Sequence, residues 1–204
     1  LESRVNLEYI NDIIPTQLYS MRHEVENINK MHLVELDNIQ VHKWSTEQLS
    51  GYNINKNQQS ILIKQWENDC QCEQKLFLAI GAQVVLLHNA FQEEYNLING
   101  SRGVVIDFNN DGDPIVQFID VTIEIPKHNW EFENHSSGLK YKIKQYPLKL
   151  AWALTIHKSQ GMTLDCVIID INNVFEEGQA YVALSRVKYL DGLFIKNMNP
   201  LKIK

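Results

Sequence analysis

The chain has 204 residues, room for one medium domain or a domain carrying a small insert. A hydrophobic content of 44% and a charged content of 22% fit a cored protein; no apolar run nears the ~20 residues of a bilayer-spanning helix and no signal peptide is visible, so no membrane partner is expected. The net charge of −6, taken as a sum, argues against a nucleic-acid binder, so any such role must rest on how the charge is distributed.

Residue 1 is Leu rather than Met, so a longer parent chain is expected. Leu18 to Ser20 read as a short strand. From Arg22 onward Val25, Ile28, Leu33 and Leu36 recur at helical spacing, and Asp37-Asn38 ends that helix. Ile39 to Trp44 reads as a strand, and Ser45 to Gln48 has the Ser-x-x-Gln pattern of a capping box. Residues 51 to 59 are polar and read as a surface loop, and the stretch to Gln74 has no clear period. Within it, Cys70 and Cys72 could begin a zinc site, but structural zinc takes four ligands and Cys166 stands alone, so no metal site is expected. Three cysteines without a disulfide framework fit a reducing compartment, hence an intracellular protein of nucleus, cytoplasm or a viral replication site.

Leu76 to Ile80 and Gln83 to Leu87 are buried-type strands separated by Gly81. Gly103 to Phe108 and Ile115 to Phe118 flank Asn109-Asn110-Asp111-Gly112-Asp113, a hairpin loop, and Val121 to Ile125 alternates until Pro126. These closely spaced strands predict a small barrel or sheet of their own over residues 103 to 146. Leu150 to Ser159 reads as an amphipathic helix or a strand-to-helix transition. Cys166 to Ile171 reads as a buried strand, Glu176 to Arg186 as a helix and Leu193 to Ile195 as a last strand. The expected fold class is α/β: a parallel sheet interrupted once by a β-rich insert.

Three segments carry chemistry. In 151–165, Thr155, His157, Lys158, Ser159 and Gln160 all donate hydrogen bonds and lead into Gly161, where backbone can approach another molecule. Such a run suits phosphate contacts, and equally a polar helix end closed by glycine. In 177–186, Tyr181 and Leu184 lie under a helix ending in Arg186, placed for dipole compensation or for a phosphate across an interface. In 15–29, Arg22 heads a helix, where a cation opposes the dipole and an outside anion would relieve it. From Asn134 to Leu164 there is no Asp or Glu, yet Lys140, Lys142, Lys144, Lys149 and Lys158 fall there, either a phosphate footprint or a solvated face.

In order and spacing these segments resemble motifs IV, V and VI of superfamily 1 DNA helicases, in their Pif-type and RecD-like branch. The resemblance lies in 18–29, in Gly-Ala-Gln-Val-Val-Leu-Leu (81–87), in the His-Lys-Ser-Gln-Gly string of 150–165, and in Gly-Gln-Ala-Tyr-Val-Ala-Leu-Ser-Arg (178–186). Asn-Gly-Ser-Arg-Gly-Val-Val (99–105) looks like the family's entry to its inserted domain. The resemblance is weakest from about Gln40 to Gln74.

The resemblance implies a RecA-like second motor domain over 12–102 and 147–204, with 103–146 as an inserted SH3-like β-barrel. It implies that Arg22 and Arg186 reach the γ-phosphate of ATP, with Mg2+, held by an N-terminal RecA-like domain, and that Gln160 and Gly161 line the same cleft. Thr155, His157, Lys158 and Ser159 would grip single-stranded DNA; on their charge, rather than on the resemblance, the lysines from 140 to 149 would extend that track. The chain has no Gly-x-x-x-x-Gly-Lys-Ser/Thr loop and no Asp-Glu pair after a strand; the family keeps both in its first domain, so this chain alone is expected to hydrolyse no ATP. A non-catalytic nucleic-acid-binding module with a helicase-derived fold, or a motor within a larger replicative or mobile-element protein, would read the same.

Overall fold

The computed structural model describes residues 14–51, 55–170 and 178–197. The chain opens with β1 (Thr16–Tyr19), α1 (Arg22–Val34), β2 (Gln40–Lys43), β3 (Ser45–Ser50) and α2 (Lys56–Asp69). It continues through β4 (Lys75–Leu78), β5 (Gln83–Leu86), the one-turn α3 (Gln92–Tyr95), β6 (Arg102–Phe108), β7 (Pro114–Phe118), β8 (Thr122–Glu124), β9 (His128–Asn134) and β10 (Leu139–Gln145). The last elements are β11 (Leu148–Leu150), β12 (Ala153–Thr155), β13 (Val167–Asp170), α4 (Gln179–Leu184) and β14 (Leu193–Asn197).

Four strands form a parallel sheet in the order β12-β1-β13-β14. Their alternate residues Leu18, Leu154, Val167, Ile169, Leu193 and Ile195 are buried in one core, and the residues between them on β1 and β13 are only partly buried. β12 is an edge, and its outward backbone needs partners. Asn29, buried on α1, supplies them: its amide donates to Ala153 O at 3.0 Å and its carbonyl accepts from Ala153 N at 2.9 Å. One carboxamide thus takes the place of a missing neighbouring strand.

A second core, with Leu76, Leu86, Val105, Val116 and Tyr146, lies under an antiparallel sheet ordered β11-β5-β6-β7-β8. The expected hairpin loop joins β6 to β7, with the Asn109 side chain accepting from the backbone of Asp111 and Asp113 at 2.9 and 2.8 Å. A third sheet runs β3-β10-β9. Among the described residues no closed barrel forms. The strands expected to make one over 103–146 lie in two open sheets whose hydrogen bonds cross the expected boundaries: β6 pairs with β5, and β10 with β3.

Three local expectations are revised. Ser45 to Gln48 begins β3 rather than capping a helix, because cross-strand pairing with β10 claims its backbone. α2 begins at Lys56, inside the segment read as a surface loop, and runs on through the stretch left without a period; it buries no residue fully and rests on the core through half-buried Ile63 and Trp66. The segment 150–159 resolves into β11, β12 and a single turn rather than a helix.

β9 is also tied to the residue just after β5. His88 Nδ1 accepts from Ala90 N at 2.6 Å, so its proton sits on Nε2 and is donated to His128 Nδ1, again at 2.6 Å. Both rings are thereby held neutral, and burial pushes both pKa values down, that of His128 to about 4. Among the described residues no helix is long and apolar enough to cross a membrane.

Candidate nucleotide and nucleic-acid interface

In parallel α/β sheets, ligands bind outside the carboxyl ends of the strands. Here β1 runs into Ser20 and Arg22, and β12 runs into the turn 156–161. That turn is fixed by its own residues. Thr155 Oγ1 accepts from Lys158 N at 3.1 Å and Ser159 N bonds Thr155 O at 3.0 Å. Gly161 closes it at φ +77, a left-handed conformation with open space around its Cα that suits glycine.

His157, Lys158, Gln160 and Gly161 are exposed and Thr155 half-buried. Ser159 is not with them. It is fully buried, and its hydroxyl donates to Ile156 O at 2.8 Å, which corrects the expectation that its side chain meets DNA: it holds the turn.

Two cavities flank this edge. The larger, of about 1120 Å³, is lined by Ser20, Arg22, Thr155, His157 and Lys158, with Trp44 and Cys70 among the residues opposite. The smaller, of about 360 Å³, is lined by His157, Gln160, Gln179, Tyr181 and Val182 among others. His157 belongs to both, so Arg22 and the 155–158 segment share one concavity while Gln160 faces the next.

The arginines differ in setting. Arg22 is exposed and bonds Glu26 Oε1 at 2.7 Å, one helical turn away. Such a solvent-exposed pair is weak and readily exchanged. Arg186 is half-buried, with Nε donating to Val182 O and Nη2 to Ser185 Oγ, both at 3.0 Å. It lines neither cavity, and its bonds satisfy a carbonyl at its own helix end.

The sequence reading passed over Gln179. It is buried, its Oε1 accepts from Ser20 Oγ at 3.0 Å, and its Nε2 has no partner. An orphaned donor in a cavity wall at this edge fits an incoming anion or carbonyl. Gln179 shares its cavity with Gln160, while Arg22 and Lys158 line the neighbouring one. Among the described residues no group of three or more His, Cys, Asp or Glu is placed to hold a metal.

The basic band is also corrected. β10 lies between β3 and β9, and the register sets Lys142 opposite Glu47 and Glu131, and Lys140 opposite Glu133. Lys142 pairs with Glu47, Lys140 with Glu133 at 3.2 Å and Lys149 with Glu73 at 3.4 Å. The lysines that were to extend a DNA track are largely neutralised within the molecule.

A mixed α/β domain whose parallel sheet presents a polar carboxyl edge of this kind is consistent with the RecA-like fold of helicase motor domains. Over 195 residues, 94% of this chain, the sequence is 40% identical to the ATP-dependent DNA helicase PIF1 of Xenopus laevis. The Pif1 helicase of Candida albicans superposes with a TM-score of 0.72 at 31% identity, covering 97% of this chain and 48% of that one. Bacteroides Pif1 in complex with ADP-AlF3 and ssDNA superposes with a TM-score of 0.62 at 26% identity, covering 97% of this chain and 44% of that one. No family model matches the chain. The chain matches a region of the Pif-type superfamily 1 helicases: it spans 29% of the Xenopus protein and about half of the Candida structure.

Proposed function

We propose that this chain works as the second motor domain of an ATP-dependent DNA helicase of the Pif type, which moves 5′ to 3′ on single-stranded DNA. The observation that carries the reading is the shared concavity: Arg22 and the segment Thr155, His157, Lys158 line one cavity at the carboxyl edge of a parallel sheet. A relative solved with ADP-AlF3 and ssDNA supports both a nucleotide and single-stranded DNA as ligands.

Bound ATP, with Mg2+, would supply the phosphoryl group whose transfer drives the motor. This chain's own residues do the rest. Arg22 leaves its exposed pair with Glu26, and Arg186 leaves its helix-end carbonyl, to bring positive charge to the γ-phosphate held by the N-terminal RecA-like domain. Gln160 and Gly161, with Gln179 beside them, line that cleft. The side chains of Thr155, His157 and Lys158 grip DNA phosphates, and Ser159 holds the turn that presents them. The setting is intracellular DNA replication, repair or recombination. Alone, the chain turns over no ATP.

In the full-length protein, Arg186→Ala should lower ATP turnover by roughly 10³-fold or more while single-stranded DNA affinity stays within about twofold. Turnover at the wild-type rate would reject the arginine's assignment. The second reading, a non-catalytic nucleic-acid-binding module with a helicase-derived fold, which the seating of Arg186 on its own helix suits, requires instead that the unaltered full-length protein turn over no ATP.

A further inference from the structure

The end of α2 holds two thiols that the proposed motor does not use. Cys70 is the first residue after the helix, its N–H bonded to Trp66 O at 2.9 Å. The chain bends at once, and the sulfurs of Cys70 and Cys72 lie 3.2 Å apart in a hydrogen bond. Each residue is only 6% exposed and packs in the core that holds Tyr141, Leu154 and Ile156. Both nonetheless line the larger cavity, which brings small solutes to them beside His157 and Lys158.

The two thiols are not equivalent. The hydrogen bond from Cys72 favours the thiolate of Cys70, Lys158 adds to the effect, and the Cys70 pKa falls to about 7 despite burial. The same bond, with burial and the neighbouring charge, pushes Cys72 up, so it keeps its proton. The pair therefore holds a nucleophile and, at hydrogen-bond distance, a proton-bearing partner that can resolve what the nucleophile forms. Two thiols are half of the ligand set that structural zinc takes, and no third metal-ligating group joins them among the described residues.

We infer that Cys70 and Cys72 form a redox-active dithiol that closes to an intrachain disulfide when a peroxide enters the cavity. The Cys70 thiolate attacks one peroxide oxygen, an S–O bond forms as the O–O bond breaks, and the departing hydroxide takes a proton to become water. Cys70 is then a sulfenic acid. The Cys72 sulfur attacks it, the S–S bond forms as the S–O bond breaks, and the leaving hydroxide takes the Cys72 proton as a second water. Two thiols lose two electrons and the peroxide gains them. The sulfurs need to close only from 3.2 Å to about 2.05 Å.

The test uses the wild-type protein, treated with limiting hydrogen peroxide, unfolded, alkylated with iodoacetamide and mapped by peptide mass spectrometry. Cys166 alone should carry the alkyl group, the peptide holding residues 70 to 72 should be lighter by two hydrogens, and dithiothreitol should restore alkylation at all three cysteines. The rate of thiol loss should rise with pH through a midpoint near 7, the value set for Cys70. With Cys72→Ser the midpoint should move upward, and Cys70 should stop at a sulfenic acid that dimedone captures. Three alkylated cysteines after peroxide, or a disulfide that includes Cys166, would overturn the inference without any variant.

Discussion

On the antiparallel side of the molecule, Lys140 and Lys142 meet glutamates across strands, and Lys149 meets Glu73 from the loop before β4. At the carboxyl edge of the parallel sheet, Arg22, His157, Lys158 and Gln160 stand exposed, and the buried Gln179 keeps an unspent donor. The two regions contain similar residues and differ in register. Antiparallel pairing fixes which side chains sit opposite each other, so opposite charges can be matched residue by residue. Parallel strands instead release their chains at one edge, where loops project polar groups with no strand facing them. Charge that serves the fold and charge left for a ligand are thus separated by topology rather than by composition.

The sharpest way to break this contrast is at Asn29. Replacing it with Ala leaves the N–H and C=O of Ala153 without partners on an edge strand, which should cost about 1–3 kcal/mol in chemical denaturation. A loss below a few tenths would mean that β12 does not depend on α1.

A smaller effect is expected from the imidazole pair. Both folded pKa values lie below the ordinary 6.5, so as pH falls the unfolded chain takes protons first. The stability that this pair contributes is whole above pH 6.5 and is lost as pH drops towards about 4, the His128 value. Melting temperatures recorded between pH 7 and 5 should fall, and His128→Phe should flatten the slope. An equally steep slope in that variant would assign the acid sensitivity elsewhere.

The smallest change is the most discriminating. Lys140, Lys142 and Lys149 replaced together by Gln should lower stability by less than ~1 kcal/mol per pair and leave the salt dependence of single-stranded DNA binding unaltered. Lys158→Gln should reduce that salt slope by about 0.7, the value of one phosphate contact on a single strand. A reversed pattern would return the DNA track to β10.

Much of this was legible in the sequence where the signal is local. The helix opening at Arg22, the strands around Gly81, the Asn109–Asp113 turn and the buried strand after Cys166 all follow from period and turn chemistry. What escaped is non-local. The window from Asn134 to Leu164 looks basic because its acids lie outside it: Glu47 and Glu133 are set opposite its lysines by sheet pairing, and Glu73 comes from the loop before β4. Ser-x-x-Gln reads alike in a cap and in a strand until β10 lies beside it. Ser159 has the same hydroxyl as Thr155, and only the inward side of the turn separates their roles. Gln179 lay inside a recognised string, yet nothing in its letter shows a half-satisfied amide.

The Asn29 clasp also has a mechanical meaning. The helix that begins with Arg22 and the strand that delivers Lys158 are bolted together by one carboxamide two turns along α1. The clasp thus couples the helix that carries the arginine to the strand that leads to the lysine. In the proposed motor, such a coupling would leave bending to the joint with the N-terminal domain.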